Sequence, residues 1–339
     1  MAAMSASGRR VFLLGALLLV AVSCHGGFGG VGVAEGLSTR YYAKTCPAVE
    51  SVVRSVMAAG GGGRTGAWAR PCFRLFFHDC FVNGCDGSVL LDDAPPGFTG
   101  GKGRRRDAGS ARGFEVVDAA KARVEAACRA TVSCADVLAL AARDAVALLG
   151  GTTWPVRLGR KDARTASQAA ANGNLPGPVS SLTSLLATFA AKGLSARDMT
   201  ALSGAHTVGR ARCATFRGRV NGGDANVNAT FAAQLRRLCP AGTGGDGNLA
   251  PLDAETPDVF DNGYFRELTK QRGLLHSDQE LFAAGGGGRS SSQDALVRKY
   301  AGNGAKFARD FAKAMVKMGN LAPAAGTPVE VRLNCRKPN

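Results

Sequence analysis

The sequence is poor in histidine and in aromatic residues, and long hydrophobic runs are scarce. Its 339 residues include four histidines, two tryptophans and 6% aromatic residues in all. The apolar run at residues 11–22 is shorter than the ~20 residues that a membrane span needs. No two cysteines have C-x-x-C spacing, and no zinc-finger, RNP or basic-helix motif occurs. These absences argue against membrane-spanning, zinc-binding and nucleic-acid-binding proteins.

The N-terminus has the pattern of a secretory signal. Arg9 and Arg10 precede the apolar run, and small residues follow it. Because small residues continue to position 36, the cleavage point stays open between 24 and 36. We therefore expect residues 1–36 to be a signal peptide and flexible start, and residues 37–339 to form one domain. The chain ends four residues after Cys335, without a long tail, which favours the extracellular space.

Ten cysteines in an exported chain indicate disulfides. Loss of Cys24 with the signal leaves nine cysteines, so one cysteine remains unpaired when the other eight form four disulfides. Eight cysteines allow roughly a hundred connectivities, and the residues alone do not choose among them.

The chain is strongly basic, with a formal net charge of +16. In an exported protein such a charge favours adhesion to acidic polysaccharides, and a solvated basic surface without a specific partner is the competing interpretation.

Helical periodicity dominates the chain, and we find no internal repeat. Ser195 is typical of an N-cap. Only short segments such as residues 329–333 look like strands. Glycine-rich stretches at 60–63, 242–247 and 285–288 predict loops. We predict helices over residues 119–127, 134–149, 182–192, 196–202, 231–238 and 292–318, the last interrupted near 302–304.

Two of the four histidines lie in unusual local sequences. Arg74 and His78 are four residues apart, so a helix would place them on one face, about 5–6 Å apart at Cβ. Such a pair can move a proton and stabilise developing negative charge. The second histidine is His206, in Ser-Gly-Ala-His-Thr. His25 lies in the targeting segment, and His276 has no partner pattern.

The segment after His78 is rich in oxygen donors around a tight turn. Mixtures of carboxylate, hydroxyl and carbonyl oxygens suit calcium. Cys80 and Cys85 are near enough in sequence to close this loop. The oxygen donors are Asp79, Gly84, Asp86 and Ser88.

From residue 37 to 336 the chain resembles the plant secretory (class III) haem peroxidases. The resemblance rests on many motifs in order. They are TCP at 45–47, FRLFFHDCFVNGCDGSVLL at 73–91, ARGF at 111–114, SCADVLALAARDAV at 133–146, LGRKD at 158–162, NLPGP at 174–178, LSGAHTVGRARC at 202–213, TPDVFDNGYF at 256–265, GLLHSDQELF at 273–282 and VRLNC at 331–335. It implies a predominantly α fold of about ten helices, with little β structure, in distal and proximal halves that enclose haem b.

The resemblance also implies roles for single residues. His206 would be the axial ligand of the haem iron, and Asp278 its hydrogen-bond partner. His78 would take the proton of hydrogen peroxide, and Arg74 would stabilise the charge that develops as the O–O bond breaks. Phe77 would shield the oxidised centre from bulky reductants. Pro176 would lie near the exposed haem edge, where phenolic donors give up electrons.

Two Ca²⁺ sites and four disulfides follow from the same resemblance. Cys72 would be the surplus thiol, as a small buried apolar residue. Asn228-Ala229-Thr230 is a glycosylation sequon. The distal Ca²⁺ would be held by Asp79, Val82, Gly84, Asp86 and Ser88, and the proximal one by Thr207, Asp253, Thr256, Val259 and Asp261. The disulfides would be Cys46–Cys128, Cys80–Cys85, Cys134–Cys335 and Cys213–Cys239.

Three positions depart from the family pattern. Our alignment places Asp107 where family members carry an Asn that accepts a hydrogen bond from the distal His, which predicts slower peroxide activation and a higher pH requirement. The competing interpretation is that Arg104–Arg106 bind the Asp107 carboxylate and draw it away from His78. Gly101 replaces an acidic residue that supports the distal Ca²⁺, which predicts a weaker site. Pro71 predicts that the distal helix starts late or kinks.

The sequence therefore predicts a secreted, monomeric peroxidase that reduces hydrogen peroxide and oxidises small phenols by one-electron steps. It predicts no nucleic-acid partner and no membrane anchor. One rival is a catalytically weak haem protein that binds cell-wall polysaccharide through its basic charge. Another is the intracellular ascorbate-using class, against which the signal segment and the cysteines argue.

Overall fold

The computed structural model describes residues 36–60, 70–92, 112–242, 244–283 and 292–339. Within these ranges the protein is predominantly helical, as the sequence predicts. The helices are α1 Val49–Ala59, α2 Arg70–Asn83, α3 Phe114–Ala127, α4 Cys134–Leu148, α5 Gln168–Asn174, α6 Leu182–Ala190, α7 Ala196–Ser203, α8 Cys213–Asn221, α9 Ala229–Leu238, α10 Gly263–Thr269, α11 His276–Gln279, α12 Ser292–Gly302 and α13 Gly304–Gly319.

The β structure of the described residues is limited to two short antiparallel pairs. Asp162 pairs with Glu330 and Ala163 with Val329, so the strand expected over residues 329–333 covers only its first two. Arg210–Arg212 pairs with Leu249–Pro251 behind the turn that carries His206. In chain order the strands are β1 Asp162–Ala163, β2 Arg210–Arg212, β3 Leu249–Pro251 and β4 Val329–Glu330.

Local sequence explains where several helices begin and end. Ser133 caps α4 by accepting a hydrogen bond from the Asp136 backbone N–H. Ser195 and Asp198 form a reciprocal capping box at the start of α7. Asn303 leaves the helical region and separates α12 from α13, which is the predicted interruption. Helix α3 begins at Phe114, five residues before the predicted start, because Gly113 reverses the chain there with φ +86°.

The packing centres on α4, which is buried along nearly its whole length. Helices α1, α2 and α3 pack against it, and α13 packs against both α7 and α2. A smaller hydrophobic cluster joins α8 and α9 to Leu274 and Leu275. Among the described residues, no helix combines the length and the apolar character that a bilayer crossing requires.

The structure contains the four disulfides that the resemblance implied. Cys46–Cys128 joins the entry of α1 to the end of α3, and Cys80–Cys85 closes the turn after α2. Cys134–Cys335 ties the start of α4 to the C-terminal segment, and Cys213–Cys239 joins α8 to α9. Cys72 is fully buried, and burial raises the pKa of its thiol to about 12.

Glu267, on α10, carries a carboxylate that is only 1% exposed. Within the described part of the chain neither of its oxygens accepts a hydrogen bond, although Arg272 Nε lies 3.2 Å from Oε2. Burial outweighs the attraction of Arg272 and raises the pKa of Glu267 to about 7. The native state therefore disfavours the ionised form, and the stability present below pH 4.5 is lost as the pH rises towards 7.

We expect Glu267→Gln to raise the free energy of unfolding by about 3 kcal/mol at pH 8 and to leave it nearly unchanged at pH 4. Urea unfolding at both pH values, in a calcium chelator, measures this. Asp310→Asn is the matched control, and it should lower the free energy of unfolding at pH 8. Hydrogen bonds from Lys306 and Tyr300 outweigh burial there and lower the pKa of Asp310. An equal gain at both pH values for Glu267→Gln would contradict the assignment.

Candidate functional site

Helix α2 carries the three residues expected to act on hydrogen peroxide, which are Arg74, Phe77 and His78. Pro71 lies in its first turn, where proline is tolerated, and α2 is one α-helix from Arg70 to Asn83. The helix is continuous past Pro71, so Arg74 and His78 lie one turn apart as the spacing requires. The predicted late start stays a prediction, because residues 61–69 lie outside the described ranges. A side chain on Gly113 would meet the Cβ of Pro71 at 2.6 Å, so the start of α3 packs closely on this turn.

The side chains of Arg74, Phe77 and His78 differ in how exposed they are. His78 is 8% exposed, whereas Arg74 is exposed. Phe77 is half-buried, and its ring stacks on that of Phe81 at a centroid distance of 4.7 Å. Phe189 of α6 lies 6.1 Å from Phe77, so two aromatic rings hold Phe77 beside His78.

His206 lies in the 3₁₀ turn Gly204–Thr207, which directly continues α7. The turn packs tightly, because a Cβ on Gly204 would come within 2.4 Å of the Phe307 ring on α13. Only glycine allows this approach. Since α13 also packs against α2, it connects the helix of His78 with the helix that leads to His206.

The His206 ring makes a short contact with a buried carboxylate. Its Nδ1 lies 2.7 Å from Oδ1 of Asp278, which is 3% exposed. The Tyr264 hydroxyl donates to the same oxygen at 3.2 Å, and the Leu275 N–H donates to Oδ2 at 3.0 Å. A carboxylate oxygen accepts, so Nδ1 is the donor of this hydrogen bond, and in a neutral imidazole Nε2 then carries the lone pair.

The sequence did not single out Tyr264. Its ring lies 6.0 Å from that of His206, and it is fully buried with its hydroxyl on Asp278. Burial, followed by the charge of Asp278, raises the pKa of Tyr264 well above its usual value, so it stays a donor. No local signal in the sequence pointed to this role, because polar residues such as Asp261, Asn262, Arg266 and Glu267 surround the tyrosine.

These residues fit a haem iron. The His206 side chain is 39% exposed, and within the described ranges Nε2 has no hydrogen-bond partner. A neutral imidazole whose other nitrogen donates to a carboxylate is the usual arrangement of a histidine that binds a metal.

The end of α2 and the turn after it carry the five residues expected at the distal Ca²⁺ site, and Asp79 accepts hydrogen bonds from the Gly87 and Val89 N–H groups of the turn. Asp79, Asp86 and Ser88 are each at most 1% exposed. Among the described residues, the Ser88 Oγ has no hydrogen-bond partner, which fits a hydroxyl that serves as a cation ligand. Gly84 has φ +88°, and a Cβ there would collide with the Ala322 carbonyl at 2.2 Å. The Val82 carbonyl accepts a hydrogen bond from Lys192 Nζ at 3.0 Å.

Four of the five residues expected at the proximal Ca²⁺ site converge through their side chains. The hydroxyls of Thr207 and Thr256 lie 3.1–3.2 Å from carboxylate oxygens of both Asp253 and Asp261. A Cβ on Gly263 would fall 2.1 Å from Asp253 Oδ2, so glycine leaves room for the cluster. Val259 is 46% exposed and could contribute only its carbonyl. Hydroxyl and carboxylate oxygens in this mixture suit Ca²⁺.

The other predicted residues lie in loops and at a helix cap, or outside the described residues. Pro176 is half-buried in the loop between α5 and α6. Asn228 caps α9 by accepting from the Phe231 N–H at 3.1 Å, and its sequon stays a prediction. Gly101, Arg104–Arg106, Asp107 and the signal segment lie outside the described residues.

Comparisons of the sequence with known proteins find peroxidases. A family model described as "Peroxidase" matches residues 49–303. Peroxidase P7 of Brassica rapa subsp. rapa is 52% identical over 306 residues, which cover 89% of this chain and all of the relative. Peroxidase 70 of Zea mays is 51% identical, with 89% and 92% covered. Peroxidase 4 of Vitis vinifera is 48% identical, with 95% and 98% covered.

Proposed function

Because the chain belongs to the plant secretory peroxidase family and is a peroxidase, we propose that it binds haem b through His206, reduces hydrogen peroxide and oxidises small phenols. The observation that carries the proposal is the His206 ring, with Nδ1 on a buried carboxylate and Nε2 open. Haem held at this position would give two electrons to the peroxide, and two phenol molecules would restore them, one electron each.

On the distal side, this chain's residues handle the protons of the peroxide. The neutral imidazole of His78 accepts the proton from one peroxide oxygen and returns it to the other, which leaves as water. Arg74 stabilises the negative charge that develops when the O–O bond breaks. The aromatic contacts of Phe77 fix it beside His78, where it restricts the approach of bulky donors. Donors would give up their electrons near Pro176.

On the proximal side, Asp278 holds the proton on Nδ1 of His206 and makes Nε2 a stronger donor to iron. We assign Ca²⁺ to the two oxygen clusters. The proximal ion would involve Thr207, the residue after His206, and would therefore brace the turn that holds the iron ligand. The distal ion would brace the end of α2.

The distal hydrogen bond of His78 is the weak point of the proposed mechanism. Asp107, in place of an asparagine, would favour the imidazolium of His78 and leave less neutral base. We expect Asp107→Asn to accelerate the reaction with hydrogen peroxide at neutral pH and to lower the pH at which the rate reaches its plateau. The measurement is stopped-flow absorbance of haem- and calcium-loaded protein across a pH series.

Each outcome of this experiment is informative. Equal rates for the wild type and the variant at neutral pH would show that Asp107 is harmless. No reaction with peroxide at any pH, in either protein, would contradict the proposed function.

We further propose that the protein acts outside the cell, in the wall or apoplast, as a monomer. The basic charge supports adhesion to acidic polysaccharide, and α13 offers a specific place for it. Arg309, Lys313 and Lys317 are exposed and four residues apart, so they form one row with a rise of about 6 Å per step. Lys317 pairs with Asp198, whereas Arg309 and Lys313 have no ion-pair partner within the described ranges.

We expect Arg309→Glu/Lys313→Glu to elute from immobilised polygalacturonate at lower salt than the wild type, because it reverses two of the three charges. Arg123→Glu/Arg129→Glu makes the same charge change at exposed positions on and after α3 and should have a smaller effect. Equal shifts in both variants would mean that the basic surface acts only through its total charge. If a His78 variant elutes from immobilised polygalacturonate at the same salt concentration as the wild type, adhesion is separate from turnover.

A further inference from the structure

Asp278 lies in α11, a helix of a single turn, and a single helical turn is not stable by itself. Fixing the first turn of a helix costs more than its few hydrogen bonds return. The contact between Asp278 and His206 therefore depends on what fixes α11 from outside. Its first residue is His276, which the sequence left without a role.

His276 binds a carboxylate from a different part of the chain. Its Nδ1 lies 2.8 Å from Oδ2 of Asp224, in the loop between α8 and α9. Partial burial alone would raise the pKa of Asp224, but hydrogen bonds from His276 and Arg219 outweigh it and hold that pKa below its usual value. Since the ionised carboxylate only accepts, His276 Nδ1 is the donor.

Asp224 is itself held in place by a buried guanidinium. Arg219 of α8 is 5% exposed, and its Nη1 donates to the same Asp224 oxygen at 2.5 Å. Its Nε donates to the Gly273 carbonyl at 3.1 Å, and its Nη2 to the Asn226 carbonyl at 2.5 Å. Arg219 thus joins α8, the Asp224 loop and the segment that enters α11.

The other side of α11 is attached to the loop that carries Pro176. The Ser277 N–H donates to the Pro178 carbonyl at 3.0 Å. Glu280 Oε2 accepts from the Leu182 N–H at the start of α6, while its Oε1 lies 3.6 Å from His276 Nε2. His276 therefore stands between two carboxylates, Asp224 on one side and Glu280 on the other.

We propose that His276 is a positioning residue for the Asp278–His206 pair. Its bond to Asp224 holds α11 so that Asp278 meets Nδ1 of His206, and this sets how strongly Nε2 donates to iron. The inference rests on the proposed function, because it assumes that His206 binds the haem iron.

The test uses substitutions that separate the two ring nitrogens of His276. An Asn side chain can place an N–H near the position of Nδ1, whereas Gln reaches the position of Nε2. We expect His276→Ala and His276→Gln to raise the Fe(III)/Fe(II) midpoint potential and to lower the iron–histidine stretching frequency in the resonance Raman spectrum. We expect His276→Asn to restore both, and haem release from the Ala variant to be about tenfold faster.

Two further variants make the test specific. Asp224→Asn weakens the same bond from the other side, so its effect and that of His276→Ala should be less than additive when combined. Arg217→Gln, on α8, is the matched control, because it removes an ion pair with Asp246, between α9 and β3, and this pair does not reach α11. It should leave the potential and the frequency unchanged.

Wild-type values in all the His276 and Asp224 variants would overturn the inference, as would full additivity of the two substitutions. If His276→Ala does not fold, the Asn and Gln variants still give opposite expectations. A wild-type protein without an iron–histidine band would overturn the proposed function itself, and this inference with it.

Discussion

We expect His78→Ala to slow the reaction with hydrogen peroxide by about 10² to 10⁴-fold, because it removes the general base. His78 is buried on α2, one turn from Arg74, and alanine keeps the helix while it deletes the imidazole. The measurement is the second-order rate constant from stopped-flow absorbance of haem-loaded protein. The rate constant of the variant should be nearly independent of pH, since the titrating group is gone.

The control for this experiment is Asn83→Ala, at the last position of the same helix, which should react at the wild-type rate. Haem content and the absorbance spectrum before mixing should match in all three proteins. A rate within about threefold of the wild type for His78→Ala would contradict the role of His78 as base.

The second large effect concerns the disulfide that encloses most of the chain. Cys134 and Cys335 are 201 residues apart in sequence, so their bond removes a large loop-closure entropy from the unfolded state. We expect Cys134→Ala/Cys335→Ala to lower the free energy of unfolding by about 5 kcal/mol, and urea unfolding of the oxidised protein measures it.

The matched comparison is Cys213→Ala/Cys239→Ala, whose bond closes 26 residues. By the same loop-entropy relation its removal should cost about 3.5 kcal/mol. Both pairs are buried, so the removal of sulfur from the core is comparable. Equal losses, or a larger loss for the shorter loop, would contradict a stabilisation through the unfolded state.

Much of the fold could be predicted because its signals are local. The caps Ser133, Ser195 and Asn303 each act within three residues of their own position, and the apolar periodicity of α4 is visible in fifteen consecutive residues. The spacing of Arg74 and His78 likewise needs only a helix. The start of α3 was misplaced because it depends on the positive φ of Gly113 and on its contact with Pro71, which lies 42 residues earlier.

The proximal site was only partly accessible to sequence reasoning. The resemblance implied the pairing of His206 with Asp278, 72 residues away, but the residues alone gave no reason for it. Tyr264 and the His276–Asp224 contact carry no local signature, because each depends on where packed helices place a polar atom.

The sequence by itself determined the helical class, the caps and the helix that presents Arg74 and His78, because these depend on neighbours within a few residues. It also carried the motifs that mark the family. Only the tertiary structure decided which oxygens meet at the two clusters and which side chains hold α11. Those contacts join residues tens of positions apart, and it is the packing of α7, α10 and α13 that brings such residues within hydrogen-bond distance.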